Sequence, residues 1–129
     1  MDIRLNSMKN KPSIDLGIEL KNEGNAEEAI EVFRYLINEG KDVDKAYYHL
    51  ALMAIDEGEN EQAIECYEAA LEVNPRYFKA ANNLGTIYLK REEYREAYYT
   101  FKTAHEIMPG ELLPLFNMGM AVYLSLIHI

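Results

Sequence analysis

A single cysteine, Cys66, stands in 129 residues. The chain therefore has no internal disulfide to close, which fits a reducing compartment. Histidine is nearly as scarce. His49 and His105 lie 56 residues apart, and no pair stands at the short spacing that metal ligands use. The seven glycines are scattered along the chain, so none builds a phosphate-cradling loop. Basic residues are in the minority, 13 against 22 acidic ones, for a formal net charge of −9. That balance argues against nucleic acid or an anionic membrane as the main partner, since both need a positive surface. No apolar run approaches the length of a membrane span. The start carries Arg4 and Lys9 without the apolar stretch that a secretory signal needs behind its charges. The expectation is a cytoplasmic protein with no cofactor, no metal and no catalytic residues. Cys66 reads as a packing or surface thiol, and the lone histidines read as fillers.

What the chain does have is a period. Leu16, Leu50, Leu84 and Met118 follow one another at steps of 34. Gly17, Ala51, Gly85 and Gly119 keep the same step. So do Ala29, Ala63 and Ala97, the aromatics Phe33, Tyr67 and Phe101, and the prolines Pro75 and Pro109. A fixed period of this length marks a repeat architecture.

Each unit reads as two helices. Leu84, Gly85 and Tyr88 make one helical stripe, and Ala97, Phe101 and Ala104 make a second. Polar turns lie between them, around Gly24 in the first unit and Gly58 in the second. Both glycines can take the left-handed conformation that ends a helix, and Asn25 is placed to cap the next one. Pro75 and Pro109 end the second helices, because the residue before proline leaves the α region. The small residues mark close approach within a hairpin, with Ala29, Ala63 and Ala97 facing Gly17, Ala51 and Gly85. The aromatics fill the gap to the next hairpin. One hairpin cannot bury its own apolar faces, so neighbours must stack.

Residues 80–109, AANNLGTIYLKREEYREAYYTFKTAHEIMP, resemble the tetratricopeptide repeat (TPR) pattern, and so do residues 46–75. The resemblance implies an all-α solenoid of helical hairpins wound into a right-handed superhelix. Its repeats would span 10–43, 44–77 and 78–111, with the first helix of a fourth over 112–123, after a flexible segment 1–9. Ser13, Lys41 and Glu92 depart from the pattern, and repeat one reads as an amino-terminal cap. The acidic run from Glu57 to Glu72 reads as a solvated face, with a docking face for a basic partner as the alternative, and Tyr94, Tyr98 and Tyr99 read as packing between repeats.

The resemblance also implies a function: a scaffold that binds a protein or peptide in a concave groove lined by first helices. Carried over, the groove positions are Tyr48, His49, Leu52 and Ile55 in repeat two. In repeat three they are Lys79, Asn82, Asn83, Thr86 and Leu89. The fourth helix supplies Phe116, Asn117, Met120 and Tyr123, and repeat one Lys11, Ile14, Ile18 and Lys21. Asn83 and Asn117 are one period apart and suit a peptide backbone, since an amide donates and accepts together. Asp15 and His49 interrupt that ladder. Ile14 and Ile18, or Tyr48 and Leu52, occupy the places of the lysine–asparagine clamp that reads chaperone carboxylates, so such motifs are not expected ligands. The alternative function is a regulatory or substrate-docking region of a larger enzyme, such as a glycosyltransferase, methyltransferase or peptidase.

The last six residues, Leu124 to Ile129, read Leu-Ser-Leu-Ile-His-Ile. The transposon-end adapter used in sequencing libraries translates to the same six residues. They are expected to be a non-native tail, with the natural array running past Tyr123. An unpaired last helix would then expose apolar surface and could support an artefactual dimer.

Overall fold

The computed structural model describes residues 11–128. The expected flexible segment 1–9 lies outside the described residues, as does Ile129. Among the described residues there are seven helices and no strand, which is the all-α class that the period predicts. They are α1 (Ile14–Asn22), α2 (Ala26–Glu39), α3 (Val43–Asp56), α4 (Asn60–Val73), α5 (Phe78–Lys90), α6 (Tyr94–Ile107) and α7 (Leu112–Ile127). The chain divides into two compact units, one ending at Val73 and one beginning at Asn74. The first holds the hairpins α1–α2 and α3–α4. The second holds the hairpin α5–α6 and then α7.

The turns inside the hairpins repeat one hydrogen-bond pattern. At Gly24, the glycine N–H donates to the Lys21 carbonyl and the Asn25 N–H to the Leu20 carbonyl. Gly58 and Glu59 do the same onto Ile55 and Ala54, and Glu92 and Glu93 onto Leu89 and Tyr88. This is the Schellman closure, which satisfies carbonyls that the helix end leaves open. It requires a left-handed residue, and Gly24 and Gly58 have φ of 85° and 74°. Glu92 takes the same place at φ 61°, so its Cβ crowds the backbone where glycine would not.

The turns between hairpins differ. α4 stops at Val73 and α6 at Ile107, each two residues before its proline, Pro75 or Pro109. Lys41 stands in the proline column of the first hairpin, and there Gly40 ends α2 at φ 71° with a further Schellman closure onto Ile37 and Leu36. Two caps correct the sequence reading. Asn25 precedes α2 but makes no side-chain cap; its amide points to Glu23 instead. Ser13, which reads as a departure from the repeat, caps α1, its Oγ accepting from the Leu16 N–H at 3.1 Å.

Ala29, Ala63 and Ala97 are fully buried, as are Phe33, Tyr67 and Phe101. The small-residue column works differently from the expectation that it faces those alanines. An added Cβ on Gly17 would run into the Phe33 ring, and one on Gly85 would lie 2.8 Å from Phe101 Cε1. The glycines thus make room for the aromatic of their own hairpin. The rings also reach onward, as expected: Phe33 stacks on His49 of α3, and Phe101 clusters with Ala97 and with Ala121 of α7. Burying one such ring is worth roughly 1.5–3 kcal/mol.

Helix α7 is different in kind. Met118 packs against the Phe101 cluster, but Gly119 is exposed and nothing lies within 4 Å of where its Cβ would be. Leu112, Phe116, Val122, Tyr123 and Leu126 are all exposed. The helix runs unbroken from Leu112 through Leu124 to Ile127. Among the described residues no helix is long and apolar enough to cross a membrane.

Candidate functional site

The groove positions divide between the two units. In the first unit, α3 offers Tyr48, His49, Leu52 and Ile55, all half-buried. His49 is held by three neighbours. Its ring lies 5.5 Å from Phe33 at 9° from parallel. Tyr48 meets it edge-on at 5.3 Å, and Lys21 Nζ is 3.0 Å from its Nδ1. Tyr48 in turn tilts against Tyr67 at 5.9 Å. Much of the His49 and Tyr48 surface is therefore spent on packing. Burial pushes the Lys21 amine down from its ordinary value, and the Asp56 carboxylate partly offsets this. Ile14 and Ile18 pack on the core beside Leu20 and Phe33, while Lys11 is exposed.

In the second unit, α5 offers Lys79, exposed, and Asn82, Asn83, Thr86 and Leu89, all half-buried. The Thr86 hydroxyl donates to the Asn82 carbonyl at 3.1 Å, a local bond within the helix. Asn82 Oδ1 is buried without a hydrogen-bond partner, a state that costs about 1–3 kcal/mol. On α7, Asn117 and Met120 are half-buried, and Phe116 and Tyr123 are 63% and 57% exposed. Asn83 and Asn117 both keep partial exposure on first helices of this unit. The tyrosines of α6 do not behave alike. Tyr98 packs on the Phe101 cluster and the Tyr94 hydroxyl lies 2.7 Å from His128 Nδ1. Tyr99 is 55% exposed, which corrects the expectation that all three pack between repeats.

Among the described residues no group of His, Cys, Asp and Glu could hold a metal ion. Cys66 is half-buried on α4. Burial first, and the Glu65 carboxylate second, push its thiol above the ordinary range. It is therefore protonated near neutral pH and a poor nucleophile.

Sequence reading missed one surface. In the first unit a groove of about 780 Å³ opens between α2 and α4 over α3. Ile30, Ile37, Leu50, Met53 and Cys66 line it, with Asp56, Glu57, Glu59 and Glu65 around them. The acidic run was visible in the sequence; the depression beside it comes from two different hairpins.

Residues 52–91 match the family model described as TPR repeat. That stretch covers the last five residues of α3, all of α4 and the whole of α5, and it holds one member of each periodic column, Leu84, Gly85, Ala63, Tyr67 and Pro75. Over that stretch the chain carries a tetratricopeptide repeat. Solved structures agree on the fold. "Crystal structure of MamA protein" is 24% identical and superposes with a TM-score of 0.73, covering 87% of this chain and 61% of that one. MamA from Desulfovibrio magneticus RS-1 is 18% identical at a TM-score of 0.73, over 86% of this chain and 63% of that one. The pilF protein of Pseudomonas aeruginosa is 28% identical at a TM-score of 0.67, over 84% and 50%. This chain thus spans between half and two thirds of the length of these TPR structures. No curated protein matches it in sequence.

Proposed function

We propose that the chain is a protein-interaction scaffold that holds an extended peptide or a partner helix along the first helices of its hairpins and performs no catalysis itself. One observation carries the reading. First helices keep half-exposed apolar and amide side chains at helical spacing, Asn82, Asn83, Thr86 and Leu89 on α5 and Phe116, Asn117, Met120 and Tyr123 on α7. The two exposed aromatics on α7 are the anchors this surface offers, because large aromatic side chains dominate binding energy when a partner covers them. Asn83 and Asn117 supply paired donor and acceptor groups for a peptide backbone. His49, held between Phe33, Tyr48 and Lys21, orders the first unit and contributes less to a ligand.

The test is selection of binders from a random peptide library displayed on phage, followed by titration of the winners. Phe116→Ala and Asn83→Ala should each weaken binding by about tenfold, near 1.4 kcal/mol. Lys45→Ala, at an exposed site outside the proposed surface, should leave it unchanged. Winners indifferent to Phe116 and Asn83 would overturn the reading.

A further inference from the structure

We infer a second docking surface, apart from the α5 and α7 positions: the groove between α2 and α4 takes a basic amphipathic helix of a partner protein. Its floor is apolar, built from Ile30 and Ile37 of α2 and Leu50 and Met53 of α3. All four are only half-buried, so the floor retains surface for a partner to cover. With a volume of about 780 Å³, it is a cleft open to solvent along one side. From Ala26 to Ile37 the wall runs along three turns of α2, roughly 16 Å at the helical rise. A partner helix of that length can lay one apolar stripe into it, as amphipathic helices do in grooves.

Charge selects which helix. Asp56, Glu57, Glu59 and Glu65 border the groove against Lys21 and Arg34, four carboxylates to two cations, a net of −2. All four carboxylates are exposed, placed where they meet the flanks of a bound helix. Lys21 is drawn toward His49, which leaves Arg34 as the cation on the opposite wall. Three of the carboxylates, Asp56, Glu57 and Glu59, gather at the turn from α3 to α4. A lysine- or arginine-rich helix matches this rim; an acidic one is repelled. None of the first-helix positions on α5 or α7 lines this groove, so the two surfaces can be tested apart.

Cys66 supplies the reporter, since it lines the groove and is the chain's one cysteine. The probe is an amphipathic helical peptide of leucine and lysine, about four turns long, with a leucine–glutamate peptide as its counterpart. The lysine peptide should bind saturably by fluorescence anisotropy and slow alkylation of Cys66 by N-ethylmaleimide at least fivefold or so at saturation. The glutamate peptide should do neither. E57K/E65K reverses two exposed charges and should weaken the lysine peptide by about tenfold, with the helical circular dichroism unchanged. Asn83→Ala and Phe116→Ala should not affect it. Binding that leaves Cys66 unprotected, binding that survives the charge reversal, or no binding at all would each overturn the proposal.

Discussion

Gly85 lies directly beneath Phe101, with three atoms of the ring 2.8 to 2.9 Å from where an alanine Cβ would sit. Gly17 stands in the same relation to Phe33, and Gly119, one period later, faces open space. The three glycines share a column and differ only in what covers them. Gly85→Ala should therefore destabilise the chain, since a forced ring shift costs on the order of 1–3 kcal/mol and outweighs the better helix propensity of alanine. Gly17→Ala should behave alike. Gly119→Ala should stabilise by up to about 1 kcal/mol, because an exposed mid-helix glycine only adds entropy to the unfolded chain. Urea unfolding of the three variants reads the sign directly. The same sign at all three positions would show that the ring contact does not decide the outcome.

The turn at Glu92 carries a second prediction. Its hydrogen bonds follow the pattern of Gly24 and Gly58, and its φ of 61° lies in the same left-handed region, but a side chain is present. Glu92→Gly should stabilise the chain by about 1 kcal/mol, the cost of a left-handed conformation for an L residue. Gly58→Ala should lose a similar amount. Thermal unfolding followed at the helical band distinguishes the two, and a destabilised Glu92→Gly would mean that the side chain contributes more than the strain it causes.

Much of this was legible from the sequence alone. A period of 34 fixes helix number and pairing because every hairpin solves the same packing problem, and the columns record the solution. Glu92 could be placed at the turn because Gly24 and Gly58 define its column. Ser13 could not be read that way. Its column suggested a large residue, and the repeat pattern hid the simpler signal of serine just before the first apolar turn. The α2–α4 groove was invisible for another reason: its lining comes from separate hairpins, and no one stretch of sequence contains it. His49 was assigned to a ligand surface by its column, whereas its neighbours Phe33 and Lys21 belong to the preceding hairpin.

Cys66 yields a prediction in pH. Its folded thiol pKa is raised, by burial first and by Glu65 second. A raised folded pKa contributes stability that is fully present below the unfolded pKa and is lost as pH rises through the folded one. Stability should therefore fall in the alkaline range, and alkylation should follow a pH profile displaced above that of a free thiol. Glu65→Gln removes the second cause and leaves the first. Its profile should move part of the way back, so that the thiol reacts faster at any one pH below the midpoint. A profile identical to the parent's would show that the carboxylate does not act on the sulfur.

The two helices of the first hairpin allow a paired test of capping. Ser13 accepts from the Leu16 N–H at the head of α1, a helix of only 9 residues, so one lost bond is a large share of what holds its first turn. Ser13→Ala should cost about 1 kcal/mol and should raise the hydrogen-exchange rate of the Leu16 amide most. Asn25 sits before α2 with a residue type that caps well, but its side chain makes no cap there. Asn25→Ala should thus cost much less than Ser13→Ala, although residue preference alone ranks asparagine with serine. The comparison separates geometry from propensity. Equal losses at both positions would mean that Asn25 caps α2 in solution, and a neutral Ser13→Ala would mean that packing of Ile14 and Leu16 on the core, and not the cap, sets where α1 begins.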